Sequence, residues 1–194
     1  MSRAANPRAA EQLSQAVWDV LAAQGLEHLT IRAVAAAAGC TTGLVMHRFP
    51  NRRALLTHAR ELLHARTRER VEGLERAAPT PRAALRAVLA QGLSTTEAGT
   101  LESFVWLGFL AAAVGDEELL ELHRTNTRAW RRRIRRLVAA AAPLWSDHQV
   151  SAAALALMGL AEGVAVMASA DPEMYSAELQ EAALDRTLAA LGLS

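Results

Sequence analysis

The sequence predicts an all-α protein, and three features of its 194 residues carry that expectation. Alanine, leucine, arginine and glutamate dominate, and these side chains lose little freedom in a helix. Isoleucine occurs only at Ile31 and Ile134, and no segment sustains the in–out alternation of a half-buried strand. Apolar residues instead fall on single helical faces, in runs bounded by capping and breaking residues.

Met1–Ala5 reads as a loose arm, and Asn6-Pro7 as a side-chain cap followed by proline at the first helical position. Leu13, Ala16, Val17, Val20 and Leu21 share one face of the helix that follows, and Gly25 ends it. Thr30 caps a short second helix whose inner face is Ile31, Val34, Ala35 and Ala38. Gly39 sits where a left-handed C-terminal cap favours glycine. Thr41 and Thr42 reopen a third helix almost at once, and Phe49-Pro50 closes it, because the residue before proline is biased away from helical angles. Asn51 caps a fourth helix reaching about Leu74, charged on one side through Arg60, Glu61, Arg66, Arg68, Glu69 and Arg70.

Ala78-Pro79-Thr80-Pro81 is the clearest break, and Thr80-Pro81 starts a fifth helix carrying Leu85, Val88, Leu89 and Leu93. Residues 97–100 read as a loop before a sixth helix with Phe104, Val105, Trp106, Phe109 and Leu110. Gly115-Asp116 opens the seventh, whose leading acids and trailing arginines complement the helix dipole. The arginines from Arg128 to Arg136 could form a second nucleic-acid surface. An apolar stripe of Trp130, Ile134, Leu137, Val138 and Ala141 runs between them, so a solvated outer face is the preferred reading. Ser146 and Gln149 form a capping box for an eighth helix, apolar nearly all round from Val150 to Met167. A ninth helix spans roughly Ala177–Leu191 and stops at Gly192.

Two short helices around a tight turn form a helix-turn-helix, whose second helix can enter the DNA major groove. The run from Gly25 to Leu56 also resembles the DNA-binding segment of TetR-type transcriptional repressors. Gly25, Thr30, Arg32, Val34, Ala35, Ala38, Gly39, Cys40, Thr41, Gly43, Val45, Phe49 and Leu55 match that family's pattern in spacing, without a gap. The sequence departs from it at Met46, where a phosphate-touching Tyr is usual, at Arg48, for Tyr or His, and at Arg52, for Lys. The resemblance implies phosphate contacts at Thr30 and Arg52. Thr41, Thr42, Leu44, His47 and Arg48 become candidates for base edges and nearby phosphates, with Gly43 and Met46 on the same short helix. Ala35, Ala38, Val45 and Phe49 are expected to pack, and Cys40 to be a small hydrophobe. The division expected is a DNA-binding head over residues 1–55 and a ligand-binding, dimerising body over 56–194, with the fourth helix linking them. Nine helices with the DNA-binding head first is the architecture that the resemblance implies.

Charge supports the division. Net charge is +1, yet through Arg60 the arginines Arg3, Arg8, Arg32, Arg48, Arg52, Arg53 and Arg60 outnumber Glu11, Asp19 and Glu27, as suits a phosphate-facing surface. All 21 basic residues are arginine. The lone Cys40 excludes an internal disulfide and a cysteine-based zinc site, and the opening lacks a charged-then-apolar leader; a reducing cytoplasm is expected. No HExxH, glycine-rich phosphate loop, paired carboxylates or nucleophile motif is present, and the six histidines lack metal-binding spacing, so neither catalysis, metal nor cofactor is expected.

The body offers two further sites. Gly159 and Gly163 form a GxxxG motif, which serves close helix packing in bilayers. Glu162 inside an Ala- and Gly-rich run argues against a span, since a charge at the bilayer centre costs about 2.5–3.5 kcal/mol on insertion scales. TetR-type repressors resemble this chain in pairing their last two helices as a four-helix bundle, which implies a homodimer through Leu155, Gly159, Gly163, Val166, Leu184 and Leu188, with no membrane. Glu162 has two readings: an ion pair with Arg186 or another Arg across the interface, preferred slightly, or a pocket carboxylate facing a cationic ligand. Trp106, Phe109, His123, Asn126 and Trp130 join Glu162 as candidate pocket residues for an unidentified small-molecule effector, because aromatic walls with a few polar groups suit such a site. The sixth and seventh helices resemble, loosely, the body of choline-responsive repressors, and no ligand is carried over from that likeness. The resulting expectation is a ligand-responsive repressor binding a palindromic operator of double-stranded DNA. An all-helical small-molecule carrier or enzyme with a purely structural head is the alternative.

Overall fold

The computed structural model describes residues 7–194, and every regular element among them is helical. In chain order these are α1 (Pro7–Gln24), α2 (Ile31–Ala37), α3 (Thr42–Arg48), α4 (Arg52–Ala77), α5 (Pro81–Ala90), α6 (Glu97–Ala113), α7 (Glu117–Ala141), α8 (Asp147–Ala170) and α9 (Ala177–Ala190). The expected arm and the Asn6 cap lie outside the described residues.

Helix starts follow their side-chain caps. Thr30, Thr41, Asn51, Thr80, Asp116 and Ser146 each accept a hydrogen bond from an amide two or three residues on, and Ser146 forms the full capping box with Gln149. One expected loop is wrong. Residues 97–100 form the first turn of α6, because Thr96 accepts the Gly99 N–H at 3.0 Å and nucleates the helix earlier. Glycine is needed there sterically, since a Cβ on Gly99 would lie 2.9 Å from the Leu93 carbonyl oxygen.

Two apolar cores result. The head core joins Leu13, Val17, Val20 and Leu21 of α1 to Val34 of α2, Val45 of α3, and Leu55, Leu56, Ala59 and Leu63 of α4. It continues into the body through Val105 and Phe109 of α6 and Leu119 of α7. The second core lies among α5, α7, α8 and α9, with Leu85, Val88, Leu89, Ile134, Val138, Ala154, Leu157, Leu184 and Leu188. Leu184 and Leu188 were expected at a dimer interface; the structure corrects this. They lie one turn apart on the inner face of α9, are fully enclosed by their own protomer, and offer nothing to a partner.

Gln180 shares that inner face and is 2% exposed. Its amide accepts from the Ser94 N–H (2.9 Å) and donates to the carbonyls of Ser94 (3.1 Å) and Tyr175 (2.9 Å). Ser94 Oγ in turn donates to the Ala165 carbonyl at 3.1 Å, so one polar knot ties the α5–α6 connection to α8 and α9. The arginines of α7 are less free than a solvated face implies. Arg133 reaches Glu72 and Glu75 of α4, and Arg136 reaches Glu75, so α7 is clamped to α4.

α8 is long and apolar enough to cross a bilayer by length and composition. Its inner side packs on α6, α7 and α9, as a core helix does, and 39% of its apolar window is buried inside the protein. The other side carries Ala152, Leu155, Ala156, Gly159, Glu162 and Val166 to the surface.

Candidate nucleic-acid interface and effector site

The turn between α2 and α3 is built by backbone bonds. Gly39 adopts φ +62°, the left-handed region that glycine enters without strain, and the Cys40 N–H then reaches back to the Ala35 carbonyl at 3.0 Å. Thr41 follows at once, accepting the Leu44 N–H at 3.3 Å and starting α3. Only Val45 of α3 is buried, with Phe49 just beyond the helix. Thr42, Gly43, Leu44, Met46, His47 and Arg48 all face outward.

That exposure is the informative feature. Leu44 is 46% and Met46 53% exposed, so apolar side chains stand on the solvent face of α3. Such side chains can meet thymine methyl groups, while Thr42, His47 and Arg48 supply donors for base edges and phosphates. Met46 thus presents an apolar face at a position where the family pattern has a hydrogen-bonding Tyr. Arg48 lies over the Phe49 ring at 5.8 Å, which holds it beside the helix end. Thr30 and Arg52 are exposed as well, although the Thr30 hydroxyl is engaged in capping, accepting from Ala33 at 3.1 Å. Cys40 is half-buried against the head core.

The expected pocket residues divide. Trp106, Phe109, His123 and Asn126 fall where α6 and α7 meet α4. The Trp106 and His123 rings make an edge contact with centroids 5.1 Å apart, and Phe109 is buried beside them. Trp130 packs instead against the body core, and Glu162 stands on the exposed side of α8; the structure removes both from the constellation. No basic side chain among the described residues pairs with Glu162, and the apolar helix around it pushes its carboxyl above the ordinary value.

The central group of this cluster escaped the sequence reading. Arg60, placed there on the charged side of α4, is only 4% exposed. Its guanidinium carbon lies 5.2 Å from the Trp106 ring centroid and 5.9 Å from that of Phe109. Burial lowers its pKa to about 10. Burial also lowers His123 and His64, with Arg60 adding to both. Periodicity could have given a signal, since Leu56, Ala59, Arg60 and Leu63 are neighbours on one face of α4, but the flanking charges masked it.

The comparisons agree with this layout. The sequence model for bacterial regulatory proteins of the tetR family matches residues 14–59, and that for the BetI-type transcriptional repressor C-terminal domain matches residues 81–193. The BetI regulator of Burkholderia cenocepacia (strain HI2424) is 31% identical over 152 residues, 76% of each chain. The chain belongs to the TetR family. Its BetI-type relatives include one from Stenotrophomonas maltophilia (strain R551-3), 32% identical over 121 residues, 60% of each chain. Among solved structures, a transcriptional regulator from Rhodococcus sp. Rha1 superposes with a TM-score of 0.81 at 28% identity, covering 93% of this chain and 94% of that one. A regulator from Saccharomonospora viridis solved in complex with choline shares the fold, with a TM-score of 0.86 at 16% identity over 95% and 97% of the two chains. As a TetR-family member this chain is a ligand-responsive, DNA-binding transcriptional repressor and not an enzyme, and regulators of this family are soluble.

Proposed function

We propose that two copies of this chain pair through the outer faces of α8 and α9 and set two α3 helices into successive major grooves of a palindromic operator in the cytoplasm. The observation that carries the reading is the outer face of α3, where every residue but Val45 is turned to solvent. Thr42, Leu44, Met46, His47 and Arg48 read bases or adjoining phosphates; Thr30 and Arg52 flank them on the backbone. Phosphate contacts by arginine supply affinity, and α3 supplies sequence choice.

The pairing surface is a stripe of small and apolar residues. Leu155, Gly159, Gly163 and Val166 recur at helical spacing on α8, with Leu179, Ala182 and Arg186 opposite the buried face of α9. The two glycines let helices approach closely, and Glu162 at the stripe's edge meets an arginine of the second copy. Residues 1–55 act as the head and 56–194 as the body, with α4 crossing between them. A small molecule at the α4–α6–α7 cluster shifts α4, whose Leu55, Leu56 and Ala59 belong to the head core. Release follows only if the ligand prefers the head separation that no longer fits the operator.

The test is fluorescence anisotropy with an operator duplex. Thr42→Ala and Arg48→Ala weaken binding while leaving the unfolding transition in place. Wild-type affinity in both variants rejects this role for α3.

A further inference from the structure

Every other arginine that clasps α4 to the body has a carboxylate. Arg53 meets Asp116 (3.4 Å) and Glu118 (3.0 Å), Arg70 meets Glu102 (2.5 Å), and Arg133 meets Glu72 (3.2 Å) and Glu75 (2.8 Å). Arg60 is more buried than any of these, and among the described residues no carboxylate and no hydrogen-bond acceptor meets its guanidinium. Aromatic faces partly offset its charge, each cation–π contact contributing about 0.5–2 kcal/mol, and the guanidinium nitrogens keep an edge on solvent. The surroundings offer no anion either. Each basic or titratable neighbour that acts on this cluster, His64 on the next turn of α4, His123, Arg68 and Arg133, is cationic or neutral.

Two polar atoms of α7 are left over as well. The Nδ2 of Asn126 and the Nδ1 of His123 are buried without a hydrogen-bond partner, and Asn126 is 8% exposed. They lie three residues apart on α7, so they share one face. Buried polar atoms in native proteins are satisfied almost without exception, so the Asn126 amide and the Arg60 guanidinium are the groups of this cluster with hydrogen-bonding capacity to offer a ligand. Trp106 and His123 beside them are part-exposed.

We infer that the effector of this repressor is a small organic carboxylate, held by an ion pair to Arg60 and a hydrogen bond from Asn126, with His123 on its flank and the Trp106 ring against its apolar part. The inference rests on the α4–α6–α7 cluster being the effector site, and it sets this chain apart from a site for a quaternary ammonium ion. A carboxylate supplies the acceptors that Arg60 and the Asn126 amide lack, whereas a permanent cation beside Arg60 adds repulsion. The coupling to DNA is direct, because Arg60 follows Ala59 of the head core on the same helix. An anion that draws Arg60 toward α7 displaces the segment of α4 that packs on α1, the helix against which α2 is seated.

The experiment reads ligand binding without DNA. Thermal shift and tryptophan fluorescence are recorded on the full chain with a series of carboxylates, from acetate to decanoate and from benzoate to phenylbutyrate, and with choline chloride against sodium chloride. The expected result is saturable stabilisation by at least one carboxylate, weakened about tenfold or more in Arg60→Gln and in Asn126→Leu, with none from choline. Arg60→Gln alone keeps or raises the melting temperature of the ligand-free protein, since it removes an uncompensated buried charge. Trp106→Phe removes the fluorescence response and retains the thermal shift, which places the ligand beside that ring. Equal carboxylate responses in wild type and Arg60→Gln, or no response to any member of the series, overturn the inference. Choline binding that is strengthened by Arg60→Gln and abolished by Trp106→Ala overturns the charge assignment while leaving the effector site where it is.

Discussion

Replacing Gln180 by alanine tests whether the polar knot beneath α8 and α9 holds the pairing face in shape. The side chain is 2% exposed and makes three hydrogen bonds, all to backbone groups. Truncation leaves the Ser94 N–H and the carbonyls of Ser94 and Tyr175 without it in a site closed to water. A buried hydrogen bond contributes about 0.5–1.5 kcal/mol net, and an orphaned buried donor costs about 1–3 kcal/mol. Ser94 N–H bears the full penalty and the two carbonyls a smaller one, so the loss comes to about 3–4 kcal/mol. At about 2–4 °C per kcal/mol for a chain of this length, the melting temperature falls by about 10 °C. Urea unfolding at fixed protein concentration is the assay, because association of copies would otherwise shift the midpoint. Glu173→Ala, in the exposed turn between α8 and α9 and away from the pairing surface, serves as the control and changes stability by under about 0.5 kcal/mol per protomer. A loss below about 1 kcal/mol for Gln180→Ala refutes the reasoning, because it would mean that these backbone groups find other partners.

Leu155→Arg or Val166→Asp on the exposed stripe of α8 yields monomers in sedimentation velocity and abolishes operator binding, with helical content unchanged; dimers of wild-type affinity rule out this face. Stability also depends on pH. His58, His64 and His123 are held below their ordinary values, chiefly by burial. A histidine that prefers its neutral form when folded is protonated first in the unfolded chain, so stability is full above about pH 6.5 and declines as pH falls from there. Glu162, raised by burial, acts in the opposite sense and is common to both proteins compared. The melting temperature of the wild type therefore drops more between pH 7 and pH 5.5 than that of a His58→Gln, His64→Gln, His123→Gln variant; parallel curves contradict the assignment. Arg48→Ala lowers the slope of log affinity against log salt by about one phosphate contact, whereas Thr42→Ala leaves the slope and reduces sequence preference; identical slopes for Arg48→Ala and wild type remove Arg48 from the phosphate contacts.

Local chemistry made most of the fold legible. Caps at Thr30, Thr41, Asn51, Asp116 and Ser146 act through bonds spanning two or three residues, and Gly25, Gly39 and Gly192 each take the positive φ that ends a helix. The same reasoning missed the Thr96 cap because the 97–100 segment, rich in small residues, reads equally well as a loop. Long-range features were not legible. Leu184 and Leu188 look the same in sequence whether they face a partner or their own core, and only the packing of α9 against α5 and α8 decides. Arg60 is the instructive case. In a helix crowded with charges its position one residue from Ala59 carries no warning, and its burial depends on Trp106 and Phe109, 46 and 49 positions away. Conversely, Trp106 and His123 were singled out together because both types suit a pocket, but what gives their pairing chemical meaning is the cation between helices.

Paired α3 helices read a two-fold symmetric DNA sequence in the proposed mode of binding. Selection of bound duplexes from a random pool by the purified full chain, at near-physiological salt, tests it most directly. The expected result is enrichment of a palindrome whose half-sites lie about one helical turn apart or a multiple of it, bound in a salt-weakened manner and lost from the Thr42→Ala, Arg48→Ala double variant. A pool that stays random after repeated rounds, or an enriched site that the double variant binds as well as wild type, contradicts it.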